Sequence, residues 1–252
     1  KTTDVGGDDG PTGWDMSASG RAAVWAEDNT RAAILQAFAR REVYATTGPR
    51  IAVRFDGSWF PGMSPPTAPA RGTELLVAPE WPATQVNDPL ASTSVPMGAN
   101  LPTRPSATHR PGFVISAMKD PEGANLDRIQ VIKGWVDALG ESHERIYNVA
   151  WSGARALDQD GKLPDVGNTV DSATASYSNS IGAPTLQATW QDPQFNPSES
   201  AFYYVRVLEI PTPRHSLYDM VALGEQADAR WPGSLQERAY TSPIWYQPHM
   251  QH

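Results

Sequence analysis

Five histidines, at positions 109, 143, 215, 249 and 252, are the first residues to ask for chemistry in this 252-residue chain. None forms HxH, HExxH or HxxxH, the spacings that set two imidazoles on one side of a strand or helix around a metal ion. His249 and His252 stand three apart in the terminal tail. His143 falls in the loop of an expected hairpin. His215, inside the stretch TPRHSLYD, is the one histidine retained as a site candidate. The segment LDQDGKLPD (157–165) brings together Asp158, Asp160 and Asp165, oxygen ligands of the kind calcium takes. An EF-hand loop would put glycine sixth and glutamate twelfth; here Gly161 is fourth from Asp158, so a plain Asp-Gly turn is the better reading. No G-x-S-x-G nucleophile elbow, phosphate-cradling P-loop or G-x-G-x-x-G occurs.

Composition narrows the classes further. Twenty lysines and arginines stand against 28 acidic residues, a net charge of −8, and no basic run exceeds Arg40-Arg41. That balance argues against a nucleic-acid partner. There is no cysteine, which removes disulfides, thiolate-bound zinc and a thiol nucleophile. No apolar run reaches the roughly 18 residues of a membrane-spanning helix, and KTTDVGGDDG lacks the apolar core of a signal peptide. Twenty-three prolines, 20 glycines and nine tryptophans point to a strand-rich, loop-rich chain with large aromatic anchors.

The elements that must position any site follow from periodicity. TRAAILQAFARREVY predicts a helix over about 29–44, capped by Asp28 or Asn29, with an apolar stripe of Ile34, Leu35 and Phe38. Gly48-Pro49 closes that segment. From Pro49 the period changes to two: Ile51, Val53 and Phe55 alternate with Ala52, Arg54 and Asp56, and Leu186, Ala188 and Trp190 repeat the pattern. FVISAM (113–118), RIQVIKGWV (128–136), RIYNVAW (145–151) and FYYVRVLE (202–209) complete at least six strands, with a long-looped hairpin around DALGESHE. The expected fold is mainly β, an antiparallel β-sandwich over 49–252 with long insertions at about 56–112 and 210–238.

Five blocks carry a resemblance: GWDMSASGRAAVWAEDNTRAAILQAFARREVYATTGPRIAVRF, DRIQVIKGWVD, GKLPDVGNTVD, AFYYVRVLEIPTPR and ERAYTSPIWY. In this order, over nearly the whole chain, they resemble the C-terminal part of the DUF3604 family, which is similar to PHP-type metal-dependent hydrolases and includes CehA/McbA-like metallohydrolases. That family's barrel carries an early His-x-His pair and a late Asp-x-His as metal ligands, and neither motif is present. The resemblance therefore implies a C-terminal portion. Residues 1–48 would hold the last helix of a PHP-like β/α barrel, and the sandwich would shape the rim of an active site whose divalent metals (zinc, manganese or iron) sit in the missing N-terminal domain. It also implies metal-dependent hydrolysis by the parent protein, of a phosphoester before an ester or carbamate, with no turnover by this chain alone, and a periplasmic or secreted setting.

On that reading Trp25, Glu27 and Arg31, in the VWAEDNTR loop, are candidates for contact with a substrate or with the metal ligands. Arg50 and Arg214 could hold an anionic substrate group bidentately. The rival expectation is a stand-alone β-sandwich that binds a carbohydrate or a protein partner through tryptophan faces and the two insertions. The apolar stripe of the first helix separates the two: covered by the sandwich in a self-sufficient module, exposed in a docking segment.

Overall fold

A computed structural model describes residues 19–61, 94–225 and 231–248. Strands β1 (Arg21–Val24), β2 (Val43–Thr46), β12 (Arg238–Thr241), β9 (Ala201–Glu209), β6 (Leu126–Val136) and β7 (Ser142–Trp151) follow one another across a seven-stranded sheet, and β13 (Ile244–Tyr246) pairs with β9 beside β12. A second sheet runs β4 (Val95–Pro96), β3 (Ala52–Pro61), β5 (His109–Met118), β8 (Thr185–Gln191). Every pairing within these strands is antiparallel. A two-stranded ribbon of β10 (Thr212–Pro213) and β11 (Ser234–Leu235) flanks them. The fold class is mainly β, as the alternation predicts.

One apolar core lies between the two sheets. Val53, Phe55, Phe113, Ile115, Leu186 and Ala188 from the smaller sheet meet Ile129, Val131, Tyr203, Val205, Val207 and Ile244 from the larger. Phe113 is the hinge of this contact, 5.3 Å from Phe55, 6.0 Å from Trp190 and 4.7 Å from Tyr203 between ring centroids. Strict alternation puts Leu186 and Ala188 inward on β8, and Ala201, Tyr203, Val205 and Val207 inward on β9. A polar group closes one end of the core: the Lys133 ammonium lies 2.6 Å from Asp192, which accepts a 2.7 Å hydrogen bond from the Tyr203 hydroxyl. Lys133 also donates to the Gln194 carbonyl, so the buried charges are matched.

The first helix is shorter than the sequence pattern implies. Helix α1 runs Arg31–Arg40, with Thr30 rather than Asp28 or Asn29 as its N-cap, accepting from the Ala33 N–H. It ends where Arg41 turns left-handed at φ 62°, well before Gly48-Pro49. The β-branched and aromatic residues of VYAT then pair with β1 on one side and β12 on the other, and that pairing overrides helix propensity. Thus β1 and β2 extend the larger sheet, and the sandwich's strands begin upstream of Pro49. Replacing Thr30 with alanine is expected to cost α1 about 1 kcal/mol, read as faster amide exchange in its first turn.

Three further differences concern connections. The β6–β7 hairpin is tighter than expected, because β7 begins at Ser142 and Asp137 Oδ1 accepts from the N–H groups of Leu139 and Glu141. The 210–238 insertion holds a second helix, α2 (His215–Leu223), which periodicity did not bring out. β3 also runs on to Pro61, into the insertion expected from 56; residues 62–93 lie outside the described residues, as do 1–18, 226–230 and 249–252 with His249 and His252. Among the described residues no helix is long and apolar enough to cross a membrane.

Candidate functional site

One end of the sandwich gathers the polar side chains. The registers Thr46↔Ala239, Arg238↔Leu208 and Leu126↔Glu209 bring the ends of β2, β9, β12 and β6 together, and Ala52↔Met118 does the same for β3 and β5. The loop 152–184 folds over this end, tied down where Asn179 Oδ1 accepts from the Asn125 N–H at 2.7 Å. Within that loop Asp158 accepts from the N–H groups of Asp160 and Lys162 and Gly161 takes φ 75°, so LDQDGKLPD is a self-capped turn.

Asp127 is the hub. It is fully buried and accepts from Arg155 Nη2 at 2.6 Å, Arg128 Nε at 2.7 Å and Gln236 Nε2 at 2.9 Å. Two guanidiniums thus share one carboxylate, and each side chain keeps only about an eighth of its surface in solvent. Arg155 spends its remaining donors on Ser152 and the Pro164 carbonyl. Over the hub opens a pocket of about 370 Å³ lined by Arg128, Asp165, Val166, Gly167, Asn168, Pro211 and Gln236.

Gln236 links the hub to a second group by donating also to the Glu209 carbonyl. The Glu209 carboxyl ends β9, is 1% exposed, and has no hydrogen-bond partner for Oε1; Thr46 Oγ1 is likewise buried without one. Burial pushes the Glu209 pKa up to about 8, Glu237 and Asp120 push the same way, and Lys119 opposes them. A pKa near 8 leaves the Glu209 carboxyl mainly protonated at neutral pH, within the range from which an acid can hand over a proton. Glu237 is occupied by the Thr47 hydroxyl.

The six residues chosen from sequence do not converge on one site. Arg50 reaches this end of the sandwich, with Nε 3.1 Å from Asp120 and Nη2 3.1 Å from Glu122, and its hydrogen bonds hold the Asp120 pKa down at about 2. Trp25 donates its indole N–H to the Val53 carbonyl and lies 4.4 Å beneath the Arg54 guanidinium, an anchor between the two sheets. Glu27 and Arg31 are exposed at the start of α1. Arg214 is buried at the N-cap of α2, bonded to Ser216 and 4.9 Å over the Trp231 ring. His215 follows it, with Nε2 buried and unpartnered. Asp127, Arg128, Arg155, Glu209 and Gln236 were missed; Asp127, Arg128 and Glu209 carry the one sequence signal, a charge near the end of a strand, while Arg155 and Gln236 lie in connections and carry none. The divalent metals implied by the resemblance do not fit the residues present: among the described residues no three His, Asp or Glu side chains are grouped to hold a metal ion.

Four of the blocks named above supply this end of the sandwich: Thr46 to Arg50, Asp127-Arg128, Asp165 to Asn168, and Glu209 to Arg214; the fifth begins at Glu237 beside them. A family model described as "Protein of unknown function (DUF3604)" matches residues 2–248. The chain belongs to the DUF3604 family. No curated protein and no solved structure matches it. The DUF3604 match begins ahead of β1 and ends after β13, so β1, α1 and β2 are covered together with the two sheets.

Proposed function

We propose that this DUF3604 chain is the β-sandwich portion of a metal-dependent, phosphoesterase-like hydrolase. In this reading it docks through the outer face of α1 onto a PHP-like domain that holds the metals, and its polar end forms part of the substrate rim. The observation that carries the reading is the state of α1: Ala37 is its one buried residue, while Leu35 and Phe38 are 57% and 48% exposed. Ile34 of the same stripe is half-buried, and among the described residues β1 beside the helix is the last strand of its sheet. A helix with an apolar face next to a sheet edge is a surface for another domain.

The chain by itself is expected to show no hydrolysis of p-nitrophenyl phosphate or p-nitrophenyl acetate with Mn²⁺, Zn²⁺ or Fe²⁺. Metal-dependent turnover by the isolated chain would refute the reading. In the protein as encoded by its gene, Leu35→Asp with Phe38→Asp is expected to lower turnover at least roughly tenfold while the sandwich unfolds at an unchanged midpoint.

A second reading has its own support. On the outward face of the larger sheet Phe202 and Trp245 lie 5.3 Å apart, and the Phe202 and Tyr204 rings are 17° from parallel. Gly134 makes room, since a Cβ there would stand 2.3 Å from the Phe202 ring. Such rings can stack a sugar. A carbohydrate module would lose polysaccharide retention on Phe202→Ala and keep it in the Leu35/Phe38 variant.

A further inference from the structure

We propose that the pocket over Asp127 binds a small hydroxylated oxyanion, a sugar acid or a sugar phosphate, with Arg128 receiving the anionic group. The site stands on the isolated chain and does not depend on docking through α1.

Arg128 is committed to Asp127 through Nε alone; among the described residues neither Nη atom has a hydrogen-bond partner. A guanidinium gripped at one edge by a buried carboxylate presents its other edge already oriented, which is the geometry that carboxylate and phosphoryl oxygens match. Asp127 is shared with Arg155, so the hub holds two cations on one anion and one positive charge is left for a ligand. Without a ligand that surplus is only partly offset by Asp165, which also lines the pocket.

Asp165 also decides the class of ligand. A bare anion filling the pocket would be repelled by its carboxylate, whereas hydroxyl groups beside the anionic group can donate to it. Gln236 points to the same class: its Nε2 is spent on Asp127 and the Glu209 carbonyl, so its side chain can offer only Oε1, another acceptor. The pocket thus offers a fork of donors from Arg128 and two acceptors, the pattern of a polyol that carries one acidic group. Gly167, at φ 98°, carries the loop around the opening in a conformation that favours glycine. About 370 Å³ lies within the range of small-molecule sites.

The test is calorimetric titration of the 252-residue chain with glucose 6-phosphate, glucuronate, inorganic phosphate and glucose. The two hydroxylated anions are expected to bind, inorganic phosphate more weakly, and glucose not at all. Arg128→Gln is expected to weaken glucose 6-phosphate at least roughly tenfold. Because that change also touches Asp127, the exposed Asp165→Asn serves as the second variant; it is expected to leave the fold intact and to narrow the preference for glucose 6-phosphate over inorganic phosphate. The proposal is overturned if neither hydroxylated anion binds, if inorganic phosphate binds as tightly as glucose 6-phosphate, or if both variants bind like the parent chain.

Discussion

Replacing Asp127 with alanine is expected to destabilise the folded chain by about 3–5 kcal/mol, the cost of removing one partner from a buried ion network. The magnitude follows from what remains. Arg128 and Arg155, each nearly buried, lose the carboxylate that separates and neutralises them, and Gln236 loses one of its two acceptors. Neither guanidinium can shed its proton, so the cost cannot be relieved by a pKa shift. Asp127→Asn keeps the shape and one acceptor oxygen and is expected to fall between the parent and the alanine variant. Urea unfolding measures both. A loss under about 1 kcal/mol for Asp127→Ala would mean that the two arginines find other partners and that Asp127 does not organise this end of the sandwich.

Glu209→Gln is expected to stabilise the chain at alkaline pH and leave it nearly unchanged in acid. The folded pKa of about 8 lies above the ordinary value of 4.5, so between those two values the native state holds a proton that the unfolded chain has released. Stability contributed by this group is therefore fully present below about pH 4.5, declines as pH rises, and is gone once pH passes about 8, a span on the order of 5 kcal/mol. Glutamine cannot ionise, so the variant lacks that decline. The difference between the two unfolding free energies, followed from pH 4 to pH 9, isolates the group because other titrations cancel. A flat difference would show that Glu209 reaches solvent or a partner and titrates normally.

Much of the fold was legible because its strands are amphipathic. Leu186 and Ala188 on β8, and Tyr203, Val205 and Val207 on β9, alternate inward as their spacing required. The failures lie where a short segment takes its structure from a distant partner. Val43–Thr46 continues an Ala-rich helical run in sequence, yet it is a strand because β12, nearly 200 residues later, pairs with it. His215–Leu223 is a helix inside a stretch expected as a long insertion between two strands. The polar end was partly visible, through Arg50 and the blocks that converge there. Asp127 was hidden because Arg155 and Gln236, which make it a hub, lie 28 and 109 residues away. Glu209 read as an unremarkable acid at a strand end, since its missing partner and its burial exist only in three dimensions.

The outer face of α1 is the most direct place to test whether this sandwich serves a separate catalytic domain. Amide hydrogen exchange over residues 31–40 can be compared between the 252-residue chain and the protein as its gene encodes it. Docking predicts fast exchange in the isolated chain and marked slowing in the encoded protein, together with metal bound to that protein and absent from the isolated chain. Equal exchange in the two, or stoichiometric metal on the isolated chain, would contradict it.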